Sequence, residues 1–460
     1  MICTTDGSSR LSQIVLKSSP DACKTCFPVA NPKVKHTLAR VRQPGTGEQL
    51  PAFRAKTTRP ASCYPVDPRG RKFAECMGPL SGIKVIEVAG IGPAPFCGML
   101  LSDMGAEVVL IERKAAPLMG FAERSGEAGK RSIVHRGKKS LAMDLKKPAA
   151  AAALLRLVAD ADLLIEGFRP GVMEKLGLGP AECTAVNRRL VYGRMTGWGQ
   201  HGPLSHCAGH DINYIALAGA LYHGGHRDSP PAAPPTLVGD IGGGAMLLAV
   251  GLLAALLEAR QSGEGQVIDA AVSDGAALMT SLLLGLQQQG FWIDQRQANM
   301  LDGGSHWYDC YECADGNYVS VGALEPTFYR QLLEKCGLAE DAEFGSQFEP
   351  SKWPSQKQTM TELFKSRKRD EWCEILEGTD ACFAPVLNMS EATRHPHNVA
   401  RSTFVELDGV TQAAPAPRFS RTPGAIHGAA PASGEHSQSV LYGAGFSEEE
   451  IAGLRAQDVI

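Results

Sequence analysis

The sequence predicts an α/β fold in which a parallel β-sheet is covered by helices. Three apolar, β-rich runs, at residues 83–89, 107–112 and 162–168, each have the length of one strand. Stretches with the apolar spacing of a helix, at 96–106 and 150–161, lie between them. Strands that alternate with helices in this way favour a parallel sheet, because each helix carries the chain back to the edge at which the previous strand began.

The later elements continue this alternation. Residues 189–199 predict a strand that runs into a glycine-rich loop, and residues 266–285 predict a strand followed by a long apolar helix. A hairpin is expected to turn at Asp315-Gly316, since this dipeptide favours two-residue turns. Helical patterns follow, and a short amphipathic helix is expected after Ser447, which would be its N-cap.

Composition and charge restrict the classes of function. The chain has 460 residues, of which 44% are hydrophobic and 21% charged, as in folded proteins of about two or three domains. The net charge of −3 combines a basic segment, 1–77, with an acidic remainder, which argues against nucleic-acid binding. The longest apolar run, 241–259, opens with glycines and includes Glu258, so it predicts a buried helix rather than a membrane span.

Residues 1–77 are predicted to be a disordered extension. They contain 13 Lys and Arg against 5 Asp and Glu, are rich in Pro, Ser and Thr, and have no sustained hydrophobic period. Their low acidic content weakly resembles a transit peptide. The alternative, an upstream extension of the reading frame, is preferred, because Met77 opens the stretch MGPLSGIKVIEVAG, a natural beginning for a domain. A cytoplasmic protein is expected, with a mitochondrial location as the alternative if the extension is a transit peptide.

Two kinds of motif that hold cofactors or metals are incomplete. GIGPAP (90–95) follows a strand and is followed by Glu112, which approaches a dinucleotide-binding fingerprint, but Pro95 replaces the third glycine. A tight turn is therefore preferred to an NAD site. The CxxC pairs at 23–26 and 310–313 each lack a second pair at zinc-binding spacing, so no metal site is predicted.

Basic residues cluster near the predicted sheet. KRSIVHRGKKSLAMDLKKP (130–148) carries seven Lys and Arg residues in an acidic part of the chain. Arg169 and Lys175 follow the end of a predicted strand, where ligands bind in open α/β sheets. Two interpretations stay open: a solvated charged rim, or a cradle in which Arg and Lys recognise phosphate groups.

Four titratable side chains stand at predicted helix starts. His210 and Asp211 precede the helical run INYIALAGAL, Asp240 precedes an apolar helix, and Glu325 follows a predicted strand. The ordinary interpretation is that Asp211 and Asp240 cap helices, that Glu325 is a first-turn acid and that His210 is structural. Together, however, they could serve general acid–base chemistry, in which an acid and a base both reach one carbon.

Several stretches resemble the family III CoA-transferase superfamily and, within it, the alpha-methylacyl-CoA racemase branch. The resemblance covers roughly residues 78–425, in order and without large gaps. The stretches that carry it are MTGWGQHGP, AGHDINY, LVGDIGGG, GQVIDAAVSDG, ANMLDGGSHWYDCYECADGNY, GALEPTFY and PAPRFSRTPG.

The resemblance implies an interlocked homodimer that binds an acyl-CoA between domains and between subunits. A Rossmann-like large domain would be formed by residues 78–300 and by the returning segment 396–460, and a smaller α+β domain by 301–395. CoA would be part of the substrate, and no metal or other cofactor, nucleic acid or membrane is implied.

The resemblance also assigns roles to residues. His210 and Asp240 would be the two acid/base residues of a racemase that interconverts (R)- and (S)-2-methylacyl-CoA through an enolate. Glu325 would orient the histidine, and the backbone N–H of Asp211 would receive the enolate oxygen. Contacts with CoA or the rest of the substrate are implied for a further set: Arg113, Met143, Asp144, Leu145, Lys146, Gly167, Phe168, Arg169, Lys175, Gly209, Ile212, Asn213 and Tyr214.

Two alternatives involve CoA without racemisation. A CoA-transferase of the same superfamily would use Asp211 as a nucleophile and form an acyl-enzyme anhydride. His210 argues against it, since transferases of this fold generally lack that histidine. The other alternative, a non-catalytic CoA-binding protein, is disfavoured by the intact acid/base positions.

Overall fold

The computed structural model describes residues 78–88, 90–114, 129 and 131–460. All of them belong to one compact unit of the chain, Tyr64–Ile460. The predicted extension at 1–77 lies outside the described residues. Within the described part, the predicted α/β class is confirmed.

A six-stranded parallel sheet forms the centre of the described chain, in the order β3-β2-β1-β4-β5-β6. Its strands are β1 (Lys84–Val88), β2 (Glu107–Glu112), β3 (Lys139–Ala142), β4 (Leu163–Glu166), β5 (Val191–Thr196) and β6 (Val267–Ala271). The chain order reverses between β1 and β4. Ligands of open α/β sheets bind at the carboxyl ends of the strands beside such a reversal.

Helices cover both faces of this sheet. The neighbours Val85 and Ile86 belong to different apolar clusters, because successive side chains of a strand point to opposite faces. The helical segments of this part of the chain are α1 (Pro93–Asp103), a 3₁₀ turn (Ile133–His135), α2 (Pro148–Val158), α3 (Val172–Lys175), α4 (Pro180–Val186), α5 (Asp211–Leu217), a π-helix (Leu237–Met246), α6 (Leu247–Ser262), α7 (Val272–Met279) and α8 (Ser281–Gln288).

A second, antiparallel sheet follows in the chain. It is formed by β7 (Tyr308–Glu312), β8 (Tyr318–Gly322) and β9 (Phe383–Val386), and the predicted hairpin joins β7 to β8. Trp307, Phe364 and Trp372 lie in its apolar core. The helical segments between β8 and β9 are α9 (Pro326–Cys336), a 3₁₀ turn (Ala342–Gly345), α10 (Trp353–Phe364) and α11 (Arg369–Leu376).

The last segment returns to the parallel sheet. Leu441 and Ile451 pack in the same core cluster as Ile86, and Ser447 accepts the Glu450 N–H as the predicted N-cap. The elements of this segment are α12 (Met389–Ala392), α13 (Pro396–Ala400), β10 (Phe404–Leu407), β11 (Val410–Ala413), α14 (Ser437–Gly443) and α15 (Glu448–Ala456). The division into domains at residues 300 and 395 stays a prediction.

The long apolar helix predicted to be buried is buried on one face only. Leu248 and Leu252 of α6 pack in the core, but Val250 and Leu257 are 61% and 62% exposed. The continuous helix Leu237–Ser262 is long and apolar enough to cross a membrane, and 44% of its most apolar window is buried. The core helix of a soluble protein meets the same criterion. The prediction of a wholly buried helix is therefore wrong for its outer face.

Two members of the basic stretch 130–148 have a role that neither interpretation predicted. Lys138 and Glu87 form a fully buried ion pair, in which Nζ lies 2.6 Å from Oε2, and Lys138 also donates to the Pro95 carbonyl. Arg136 forms a buried ion pair with Asp103 at the other end of α1. Arg136 and Lys138 therefore hold the two ends of α1 in place.

Lys138→Met is expected to lower the free energy of unfolding by about 3–5 kcal/mol, because it removes the cation that faces a buried carboxylate. Lys139→Met is the matched control, since the neighbouring Lys139 pairs with Glu107 with both side chains nearly half exposed, and such pairs contribute about 0–1 kcal/mol. Urea denaturation at pH 7 measures both. Equal losses in the two variants would contradict the importance of the buried pair.

Candidate active site

Helix α5 begins at His210, its N-cap residue. The His210 N–H donates to the Asn213 side-chain oxygen over 3.1 Å, and the Asn213 N–H donates to the His210 carbonyl over 2.8 Å. This reciprocal pair fixes the backbone at the helix start and leaves His210 exposed. The prediction that Asp211 caps α5 is wrong, since Asp211 is the first helical residue.

The Asp211 side chain points away from solvent and binds the π-helix. Its Oδ1 accepts the backbone N–H of Asp240 over 2.7 Å, and the residue is only 9% exposed. Gly239 makes this approach possible, because a Cβ atom at that position would lie 2.3 Å from Asp211 Oδ1. The start of α5 and the start of the π-helix are thereby joined by one charged hydrogen bond.

Asp240 lies inside the π-helix rather than at its cap, so its predicted capping role is also wrong. Its carboxylate faces Gly92, the N-cap of α1, where a Cβ atom would lie 3.0 Å from Asp240 Oδ2. Gly92 also has a φ of 73°, which favours glycine. The second glycine of GIGPAP therefore makes room for a carboxylate. The acid of the possible NAD fingerprint, Glu112, is buried and accepts the Ser140 hydroxyl.

Burial is the largest cause of an unusual pKa at Asp240. Burial and the negative charge of Asp211 raise the pKa of this carboxyl, and the nearby His210 lowers it. The resulting pKa is about 6. Near neutral pH, Asp240 can therefore either hold or release a proton. Imidazole side chains ordinarily exchange protons in the same pH range, so two proton-transfer groups of different chemistry stand close together.

Tyr214 connects this pair to the adjoining edge of the sheet. Its hydroxyl donates to the Gly209 carbonyl, and its ring meets Trp198 edge-on at 4.7 Å. Burial and the Asp240 charge raise the pKa of Tyr214, while the Arg169 charge lowers it, so both charged groups lie near its hydroxyl. The hydrogen bond from Tyr214 therefore fixes the backbone at Gly209, the residue before His210.

Most of the predicted CoA contacts follow strands β2, β3 and β4, of which β2 and β3 are neighbours and β4 is separated from β2 by β1. Arg113 follows β2, the segment 143–146 follows β3, and Gly167 opens the loop after β4. Since these strands are parallel, all of these residues lie at the carboxyl edge of the sheet. Arg169, Lys146 and Lys175 are exposed there. The Met143 side chain is fully buried in the core, so only its backbone can meet a ligand.

A contact from the distant end of the chain reaches this edge, and the sequence contains no local indication of it. Asp458, 344 residues after Lys114, accepts a hydrogen bond from that lysine over 2.6 Å and pairs with Lys147. The two lysines lower the pKa of Asp458. The next residue, Val459, accepts the Asp144 N–H through its carbonyl. Residues 457–460 therefore hold the loop after β3.

Glu325 is not brought to the histidine within the chain. It is the exposed N-cap of α9 and makes no side-chain cap bond. In the part of the chain that the structure describes, no hydrogen bond or ion pair joins it to His210. The same described residues contain no group of three or more His, Cys, Asp and Glu side chains that could hold a metal ion.

The fold and the site define a class: an α/β protein in which a histidine and a carboxyl of raised pKa lie beside a basic sheet edge. The family model for CoA-transferase family III matches residues 80–437, and the chain belongs to that family.

Named relatives and a solved structure agree with this membership. The chain is 44% identical to mouse alpha-methylacyl-CoA racemase over 83% of its own length and 97% of the relative. It is 42% identical to the human racemase, with the same coverage. The crystal structure of a CAIB/BAIF family protein from Brucella suis has a TM-score of 0.70 at 25% identity, covering 80% of this chain and all of that one.

Asp211→Asn is expected to lower the pKa of Asp240 from about 6. The amide keeps an oxygen that accepts the Asp240 N–H but removes the negative charge that disfavours ionisation of Asp240. Titration of the carboxyl ¹³C resonance of Asp240 by NMR measures the change. Asp228→Asn, which neutralises an exposed carboxylate in another loop, is the control and should leave the value unchanged. An unchanged or higher pKa in Asp211→Asn would refute this electrostatic coupling.

Proposed function

We propose that this protein is a racemase that interconverts (R)- and (S)-2-methylacyl-CoA thioesters by a two-base proton transfer. The observation that carries the proposal is the position of His210 next to Asp240, whose carboxyl has a pKa raised to about 6. The activity named for the mouse and human relatives supports it.

The chemistry requires one base on each face of the carbon next to the thioester carbonyl. One base removes the proton while the other, already protonated, returns a proton to the opposite face. His210 and Asp240 would exchange these roles according to the epimer that is bound, and the pKa of Asp240, raised to about 6, lets this carboxyl hold or release a proton near neutral pH. The backbone N–H of Asp211, at the start of α5, would donate to the enolate oxygen. The substrate carries its own activating group, the thioester.

The position of Asp211 favours this mechanism over a CoA-transferase. A nucleophilic carboxylate must present a free oxygen to the thioester carbonyl. Asp211 is instead 9% exposed, and its Oδ1 is engaged by the Asp240 N–H. Attack through Oδ1 would therefore break the bond that positions the neighbouring acid, and the low exposure of the residue disfavours attack through either oxygen.

CoA itself would lie along the carboxyl edge of the sheet. Arg113, Lys146, Arg169 and Lys175 would attract its phosphate groups there. Arg169 and Asp240 both lie close enough to Tyr214 to change its pKa. The proposed CoA site and the proposed acid–base pair would therefore lie next to each other. Binding of the distant nucleotide would thus position the reacting carbon.

We also propose that the active protein is a homodimer. Large apolar side chains are exposed on α5, the π-helix and α6 to α8, which pack against one another, and apolar patches of this kind mark association surfaces. These side chains are Ile212, Leu217, Leu237, Met246, Val250, Leu257, Leu278, Met279, Leu282 and Leu284. In such a dimer, Glu325 of a second copy could reach His210.

Sedimentation should give the mass of a dimer at micromolar concentration, and Leu282→Glu should dissociate it into monomers. A charged side chain on an apolar contact surface would lose its hydration when the dimer forms, and this loss costs free energy. Met389→Glu is the control, because Met389 is 91% exposed on α12, outside the proposed surface. A wild-type protein that sediments as a monomer would contradict the dimer.

Hydrogen exchange at C2 in heavy water tests the reaction. Wild type should wash deuterium into both (R)- and (S)-2-methylacyl-CoA and give the same product mixture from each. His210→Ala and Asp240→Asn should each slow interconversion by about 10²–10⁴-fold. Each variant should still wash deuterium slowly into one epimer, through the base that remains, and the two variants should differ in which epimer this is. His206→Ala, which removes an exposed histidine of the same loop, should change neither rate.

The opposite pattern would identify a transferase. It consists of no exchange at C2, together with transfer of CoA to a free acid that survives His210→Ala and is lost in Asp211→Ala.

A further inference from the structure

A buried cluster of three charged residues supports the loop that leads from β4 to α3. Arg194 lies on β5, directly opposite Glu166 on β4. Its Nε donates to Glu166 Oε1 over 2.9 Å, and its two terminal nitrogens donate to both carboxylate oxygens of Glu174 over 2.8 and 3.2 Å. One guanidinium therefore binds two carboxylates, one of them through a bidentate fork.

These carboxylates stand on either side of the loop. Glu166 is the last residue of β4, and its Oε2 accepts the Phe168 N–H over 2.7 Å. Glu174 lies on α3, immediately before Lys175. Arg194 thus ties the beginning of the segment 167–175 to its end. This segment carries Gly167, Arg169 and Lys175.

The burial of this cluster is uneven. Glu166 is fully buried and the Arg194 side chain is 8% exposed, whereas the Glu174 side chain is 42% exposed. Burial raises the pKa of Glu166, and the Arg194 guanidinium opposes this. A buried ion pair adds little net stability compared with apolar residues of the same size, and its attraction offsets the cost of desolvation only where the hydrogen-bonding geometry is good. The cluster is therefore better explained by the shape of the loop than by stability alone.

We propose that Arg194 is a positioning residue that holds segment 167–175 in the shape that binds CoA. The inference rests on the proposed acyl-CoA function. Arg194 does not touch the reacting atoms. Through Glu166 it sets the direction of the Phe168 N–H and of Arg169, and through Glu174 it sets the position of α3 and Lys175. With the loop already ordered, binding CoA costs less conformational entropy.

Glu174→Ala tests the proposal with little risk to folding, because this carboxylate is half exposed and Glu166 keeps its bond to Arg194. Glu182→Ala is the matched control, an exposed glutamate on the next helix, α4. Calorimetric titration with CoA and the C2 exchange assay with 2-methylacyl-CoA are measured on the same preparations. We expect about a tenfold increase in both the Kd for CoA and the KM in Glu174→Ala, with kcat within about twofold of wild type.

Arg194→Lys provides the second variant. It keeps the charge but replaces the fork by a single ammonium, so its KM should rise while kcat is retained. An unchanged Kd and KM in Glu174→Ala, or a loss of kcat without a change in KM, would overturn the positioning role. Wild-type protein that does not bind CoA would overturn the proposed function itself. The titration of wild-type protein with CoA therefore distinguishes a failure of the positioning role from a failure of the proposed function.

Discussion

The hydrogen bond from the Asp240 N–H to the Asp211 carboxylate is the contact on which the site depends. It joins two helical segments through residues that lie 29 positions apart in the chain, and it leaves the Asp240 side chain free to point towards Gly92. Because the acceptor is charged and nearly buried, the same contact both positions Asp240 and raises its pKa. One carboxylate that need not touch the substrate therefore positions Asp240 and adds to the effect that burial has on its pKa.

The order and type of the central elements could be predicted from the sequence, and the exceptions have physical reasons. β1, β2, β4 and β5 are apolar runs, since both of their faces are covered by helices. β3, in contrast, begins with Lys139 in a run of charges and was not expected. The π-helix was not expected either, because its glycine-rich sequence has no distinctive period. Gly243 packs against the backbone of Gly275 and Ala276.

The candidate site was predictable to a smaller extent. The pairing of His210 with Asp240 came from the resemblance, because no local pattern relates residues so far apart. Asp211 was expected to cap α5, since aspartate is among the best N-cap residues and exceeds alanine there by about 1 kcal/mol. A charged hydrogen bond contributes about 1.5–3 kcal/mol, so the bond to Asp240 outweighs that preference. The role of Arg194 could be suspected only from one arginine inside the apolar strand VYGRMT.

Buried charged residues support the carboxyl edge of the sheet at two places. Lys138 binds Glu87 and the Pro95 carbonyl, and so fixes the first turn of α1 against which Asp240 rests. Arg194 acts in the same way on the loop after β4. A carboxylate or guanidinium in the core costs free energy unless its bonds are complete, so each cluster has one favourable arrangement. Within the described residues, Lys138 and Arg194 thus lie buried behind the carboxyl edge, whereas Lys146, Arg169 and Lys175 are exposed at it.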